Sequence, residues 1–248
     1  MALPVKRIRL LGGAGSLPAS MRRSSQAPGV GFGALNVGRT AAAASLALIL
    51  LVGCGGGGGE TSSSVALPAG CSQVSAPAPK QVHLARPAQR LSESATATVE
   101  TSCGSFVIAL DTARSPKTTA SFAYLARHGF YDNTAFHRII PGFVVQGGDP
   151  TGTGTGGPGY SVDEAPPQDL SYTRGIVAMA KSQAEPPGRS GSQFFVVTAT
   201  DAGLTPDYAL LGHVSRGMDV VQRIEQLGTP SGTPKAPVLI KQITIGGG

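Results

Sequence analysis

The sequence predicts a mainly β domain, a closed antiparallel barrel plugged at its open ends by two helices and carried behind a leader and a flexible linker. Three observations predict it. Short apolar or alternating runs recur between residues 105 and 245, separated by Gly- and Pro-rich connections. Only two segments carry helical periodicity, and closing the sheet removes the exposed edges that many short strands would otherwise leave. Composition shifts near Cys54 and again near residue 91, dividing the chain into 1–53, 54–91 and 92–248. The last part is one domain's length, large enough for a single core.

Residues 1–53 read as an export leader. Lys6, Arg7, Arg9, Arg22, Arg23 and Arg39 precede Cys54 without one Asp or Glu among them, so the formal +6 of the chain resides there. Beyond Cys54, 14 Lys or Arg balance 14 Asp or Glu, and the basic excess gives no support for a nucleic-acid partner. The apolar run Thr40 to Gly53 has the length of a signal-peptide core, short of the roughly 18 to 20 residues of a membrane span. The stretch ahead of it is long for such a peptide, and Met21 is the alternative start. Leu51-Val52-Gly53-Cys54 resembles the lipobox of bacterial lipoproteins, in which the cysteine is acylated and becomes the first mature residue. The expected placement is extracytoplasmic, with a lipid anchor on Cys54 holding the chain to a bacterial cell membrane.

From Gly55 to about Arg90 the chain is Gly, Ser, Pro, Ala and Gln with few large apolar residues, too little to offset backbone ordering. It reads as a flexible tether reaching about 35 Å. The remaining cysteines, Cys71 and Cys103, would meet an environment permissive for disulfides. A bridge and a pair of inert thiols both fit the sequence; the bridge would stabilise the fold by roughly 3 to 4 kcal/mol on the loop-entropy account.

Within 92–248, Ser105 to Leu110 alternates as a strand. Ser115 as N-cap, Pro116 at the first helical position, apolar Phe122, Leu125 and Ala126, and Gly129 past the end define the first helix. Ile176 to Ala180, Phe194 to Thr198 and Ala209 to Val214 are short apolar strands. The second helix runs from about Met218 to Leu227, with Val220, Val221, Ile224 and Leu227 on one stripe and Gly228 as the stop. Val238 to Ile245 alternates as the closing strand.

Phe136 to Asp149 reads Phe-His-Arg-Ile-Ile-Pro-Gly-Phe-Val-Val-Gln-Gly-Gly-Asp, and Gly191 to Phe195 reads Gly-Ser-Gln-Phe-Phe. With Thr101 to Ser105, Gly129 to Asp132, Gly175 to Ala180 and Leu210 to Val214, these segments resemble, in order, those of the cyclophilins, which are peptidyl-prolyl cis/trans isomerases. The resemblance implies an eight-stranded barrel capped by two helices, no cofactor or metal, and proline-containing polypeptides as partners; a monomer is expected, though no sequence feature marks the oligomeric state. It also implies roles for single residues. Arg138 corresponds to the catalytic arginine, Phe143 and Phe195 to the aromatics around the proline ring, and Gln146 to the glutamine that hydrogen-bonds the substrate backbone. Val144 stands where animal members usually carry Met, while Ala180 and Leu204 keep the family's residue types. Lys181 replaces a frequent Asn and Tyr208 a histidine. Gly203 falls where animal members have a tryptophan that helps bind cyclosporin.

These residue types suit rotation about an amide. At X-Pro the planar forms are nearly balanced but separated by a barrier of about 18 to 20 kcal/mol, and twisting returns the lone pair to nitrogen, where a guanidinium can donate to it. A competing reading is a non-catalytic proline-peptide binding module or chaperone on the same barrel, motivated by Gly203, Lys181 and the tether. Two further features are set aside. Gly152 to Gly157 has the spacing of a dinucleotide fingerprint, but Pro158 follows where a helix should open, so it reads as a surface loop. His83, His128, His137 and His213 lack metal-ligand spacing, and His137 reads as structural. Finally, a strict two-residue hairpin at Pro141-Gly142 would put Arg138 and Gln146 on opposite faces, so an irregular connection is expected there.

Overall fold

The computed structural model describes residues 65–87, 91 and 94–247. The leader, the lipobox with Cys54 and the first part of the linker lie outside the described residues. In chain order the elements are β1 (Thr96–Thr101), β2 (Gly104–Leu110), α1 (Pro116–Arg127), β3 (Thr134–Ala135), β4 (Arg138–Ile140), β5 (Val144–Gly147), β6 (Val162–Asp163), β7 (Ile176–Met179), β8 (Arg189–Ser190), β9 (Phe194–Val197), β10 (Leu210–Arg216), α2 (Met218–Glu225) and β11 (Leu239–Gly246).

Nine strands form one antiparallel sheet in the order β3-β11-β1-β2-β10-β7-β9-β5-β4, and β6 pairs with β8 separately. The two edge strands, β3 and β4, are separated in the chain only by Phe136 and His137. Ala135 also bridges Asp149, just past β5. Residues 134–140 therefore cross from one edge of the sheet to the other and close it; taken as one interrupted strand, they make the expected barrel of eight.

Alternation sorts side chains to the two faces of the wall. Val99, Phe106, Ile108, Ile139, Val145, Val177, Phe194 and Val196 join the main core. Phe194 is central to it, with its ring 5.5 Å from Phe122, 5.9 Å from Tyr131 and 6.2 Å from Phe136. Val144, Ala178, Phe195, Val197 and Leu210 belong to a second apolar cluster with Leu170 and Tyr172. All four residues of β9 are buried, which explains why its sequence is a continuous apolar run. β1 escapes the sequence reading because its buried apolar residues, Ala97 and Val99, are small and alternate with Thr and Glu.

Both helices form where periodicity places them, with different ends. Ser115 occupies the N-cap position of α1, yet its hydroxyl makes no capping bond and is buried without a partner. The carboxylate of Glu164 takes its place, accepting from the Lys117 N–H at 3.0 Å and the Thr118 N–H at 2.7 Å. A charged acceptor that serves two orphan donors from across the fold is stronger than a local hydroxyl. In α2 the helix stops at Glu225, and Gly228 closes a following turn through its N–H to the Glu225 carbonyl.

Residues 65–87 depart from the tether expected there. Cys71 is joined to Cys103 at 2.01 Å. The Ser72 N–H donates to the Ser102 carbonyl, Lys80 N–H to that of Pro150 and Leu84 N–H to that of Pro158. The Lys80 ammonium donates to the Asp132 carbonyl at 2.6 Å, and burial holds it below the usual lysine value against the pull of the Asp132 carboxylate. Leu67, Val82 and Leu84 pack against the core. Composition forecasts a tether because few apolar residues occur here; a crosslink, backbone bonds and three well-placed apolar side chains suffice to fix the segment as a strap.

Candidate active site

The register of the wall gathers the site. Arg138 pairs with Gln146, Gln146 with Phe195, Phe195 with Ala178 and Ala178 with Leu210, so these five residues form one row across β4, β5, β9, β7 and β10. Arg138 and Gln146 share a face because three residues, not two, separate the paired positions Ile140 and Val144. The Phe143 N–H donates to the Ile140 carbonyl at 3.1 Å and Gly142 has φ +70°, a type II turn with Pro141 and Gly142 central and Phe143 as the extra residue. The Phe143 carbonyl then accepts from the Thr198 N–H, and the Phe143 side chain lines the same cleft as Arg138 and Gln146.

Arg138, Phe143, Val144, Gln146, Ala180, Lys181, Phe195, Leu204 and Tyr208 all line one open cleft of about 590 Å³. Its apolar bed is aromatic. The Phe195 and Tyr208 rings meet edge to face at 5.4 Å and 87°. Beneath them Tyr172 donates its hydroxyl to the Tyr208 carbonyl at 2.6 Å and accepts the Tyr208 N–H at 3.0 Å. Burial raises the Tyr172 phenol to about 12, against the hydrogen bond to Tyr208, so it remains a donor. Lys181 lies over the Tyr208 ring at 5.5 Å and donates to the carbonyls of Ser182 and Glu185.

The polar side of the cleft is a relay. Arg138 Nη1 donates to Gln146 Oε1 at 3.1 Å, Gln146 Nε2 to Gln193 Oε1 at 3.1 Å, and Gln193 Nε2 to the carbonyls of Gly154 and Gly156, each at 3.0 Å. The guanidinium also lies 5.8 Å from the Phe143 ring centre. Its stem passes Gly232, whose φ of +91° and missing Cβ leave room; a Cβ there would be 3.1 Å from Arg138 Cγ. Among the described residues no carboxylate lies within ion-pair distance of Arg138. The site thus offers a cation with spare donors at the rim of an apolar bed.

The Gly152 to Gly157 loop, expected only as surface, is the rim that anchors this relay. Buried Asp149 organises it. One carboxylate oxygen accepts the Thr151 N–H at 2.7 Å and hydroxyl at 2.8 Å, and the other the N–H groups of Gly154 at 2.6 Å and Gly156 at 3.2 Å. Burial pushes the Asp149 carboxyl up, but these hydrogen bonds together hold it below its ordinary value. His137 lines the cleft with both ring nitrogens buried; burial lowers its pKa despite the opposing Asp149 charge.

Sequence reasoning missed Gln193, Asp149 and Tyr172 as parts of the site. Gln193 was legible, since it precedes Phe195 by two and period-2 alternation puts both on one face. Nothing local marks the other two.

Comparison with known proteins agrees with this geometry. The family described as cyclophilin type peptidyl-prolyl cis-trans isomerase matches residues 96–245. The peptidyl-prolyl cis-trans isomerase CYP18-2 of Arabidopsis thaliana is 41% identical over 136 residues, covering 53% of this chain and 81% of the plant protein. A peptidyl-prolyl cis-trans isomerase-like 1 of Aspergillus oryzae is 46% identical over 129 residues, covering 50% of this chain and 78% of its own length. A Cryptosporidium parvum cyclophilin-type isomerase, crystallised in the presence of the dipeptide Ala-Pro, superposes with a TM-score of 0.57 at 34% identity, covering 62% of this chain and 99% of its own. The chain belongs to the cyclophilin-type peptidyl-prolyl cis-trans isomerases and is an enzyme of that class.

Proposed function

We propose that the cleft accelerates X-Pro isomerisation in exported polypeptides by stabilising the twisted amide through Arg138. The carrying observation is that this guanidinium, without an acidic partner among the described residues, stands at the edge of the bed formed by Phe143, Val144, Phe195, Leu204 and Tyr208. The proline ring would fill the bed while Gln146 holds the adjoining backbone. As the bond twists, resonance is lost and the nitrogen becomes a hydrogen-bond acceptor; a donor from Arg138 then favours this state over either planar form. Arginine remains charged at any working pH and its fork keeps one face on Gln146 while another N–H turns to substrate. In a proline-peptide isomerisation assay, Arg138→Ala should lower kcat/KM by about 100-fold or more. Equal rates for the two proteins would end this mechanism.

The export half of the proposal is supported by the basic leader, the apolar run ending at Cys54, and the Cys71–Cys103 disulfide, a crosslink that persists outside reducing compartments. Mass spectrometry of chain extracted from native membranes should give Cys54 as first residue with added acyl mass. An unmodified chain that begins elsewhere refutes the anchor.

A further inference from the structure

We propose that the strap is a working part of the substrate site: Gln81 and His83 close the outer side of a second, polar cleft, which takes a polar side chain flanking the target proline. The inference rests on the isomerase reading of the first cleft and deepens it. The strap precedes residues 96–245, so whatever it contributes is this chain's own addition to the family domain.

The second cleft, about 780 Å³, is continuous with the first: Gln146, Gly154, Ala180 and Lys181 line both. A polypeptide bound with its proline beside Arg138 and its backbone on Gln146 therefore extends into the second cleft. There the walls mix hydrogen-bonding side chains, among them Gln81, His83 and Lys181, with glycine backbone and the apolar surfaces of Pro158 and Ala180. Burying a large apolar side chain against exposed Gln81 and His83 would strip their polar atoms of water without giving them partners, whereas a carboxamide or hydroxyl would satisfy them.

The strap is fixed at this place. Between the Lys80 N–H bond to the Pro150 carbonyl and the Leu84 N–H bond to the Pro158 carbonyl, residues alternate: Val82 and Leu84 pack inward, while exposed Gln81 and His83 line the cleft. His83 rests on the bare backbone of Gly159, where a Cβ would lie 2.6 Å from its Nδ1. Arg86 donates to the Ser161 carbonyl beyond it. The same two proline carbonyls are the feet of the loop whose Gly154 and Gly156 hold Gln193, so wall and relay share one support.

The test compares the full chain with a Gln81→Ala/His83→Ala double variant on proline peptides that differ only in one flanking residue, Gln, Ser or Leu. The wild type should prefer Gln over Leu in kcat/KM by at least about fivefold, and the double variant should bring that ratio close to one. Independently of turnover, titration with the Gln peptide should shift the His83 ring resonances, and titration with the Leu peptide should not. An active wild type without the preference, or a double variant that keeps it, overturns the role of the strap alone. A wild type that accelerates none of the peptides removes the isomerase reading and this inference with it.

Discussion

The proline cleft and the polar cleft meet along Gln146 and Lys181, yet different forces hold them. Arg138, Gln146, Phe195 and Ala178 stand on β4, β5, β9 and β7, whose backbone ladders continue around the barrel. The outer side of the polar cleft is loop and strap, fixed by a crosslink, two strap-to-loop backbone bonds and one buried carboxylate. The first region shifts only if the barrel opens, whereas the second can loosen contact by contact while the barrel stays folded. The cleft proposed to carry the reaction thus stands on the wall of the fold, and its adjustable neighbour on the attachments.

Four perturbations, in falling order of effect, break or sharpen this contrast. Replacing Arg138 by Lys keeps the charge but loses the fork, and should cost kcat/KM nearly as much as Arg138→Ala with little change in urea midpoint; full activity in the Lys variant would show that charge alone suffices. Removing the crosslink with Cys71→Ser/Cys103→Ser should lower unfolding free energy by about 3 kcal/mol. It should also raise proteolysis within 72–87 first, and unchanged protease sensitivity there would mean that the strap does not depend on the bridge. Asp149→Ala leaves the N–H groups of Thr151, Gly154 and Gly156 without their acceptor, an expected loss of about 2 kcal/mol read by urea denaturation. With Gln193 less well held, kcat/KM should fall by about fivefold; an unaffected rate would disconnect the loop from the relay.

The smallest effect is in pH. Burial depresses the pKa of His137, so near and below pH 6.5 the unfolded chain binds more protons than the folded one, and stability must fall as pH drops through that value. Asp149, held below its ordinary 3.8, contributes stability that is lost only in a more acidic window. Between pH 7.5 and 5, His137→Gln should therefore flatten the stability profile by less than about 1 kcal/mol. A profile identical to wild type would show that the buried ring is protonated without penalty.

Much of this molecule is legible in its sequence. The apolar run at 194–198 names a strand because a barrel wall buried on both faces demands uninterrupted apolar residues, and the run at 209–214 does so as far as Gly212, before His213 turns to solvent. β1 was not legible, since Ala97 and Val99 become core only once pairing with β2 and β11 sets them on the face that packs into the main cluster. The strap defeated compositional reasoning for a related reason: a few contacts outweighed an unpromising average. Asp149 reads in sequence as the end of a glycine-rich motif, and its work of tying up a loop exists only in three dimensions.

Sequence by itself determined which side chains could carry the chemistry, because a permanent cation, two phenylalanines and a carboxamide at these spacings are properties of the chain. Tertiary structure alone decided that they meet. A three-residue turn set the parity that brings Arg138 beside Gln146, and the pairing of β5 with β9 brought Phe195 to them across nearly fifty residues. Parity and register depend on backbone bonds between distant segments, which no local pattern encodes.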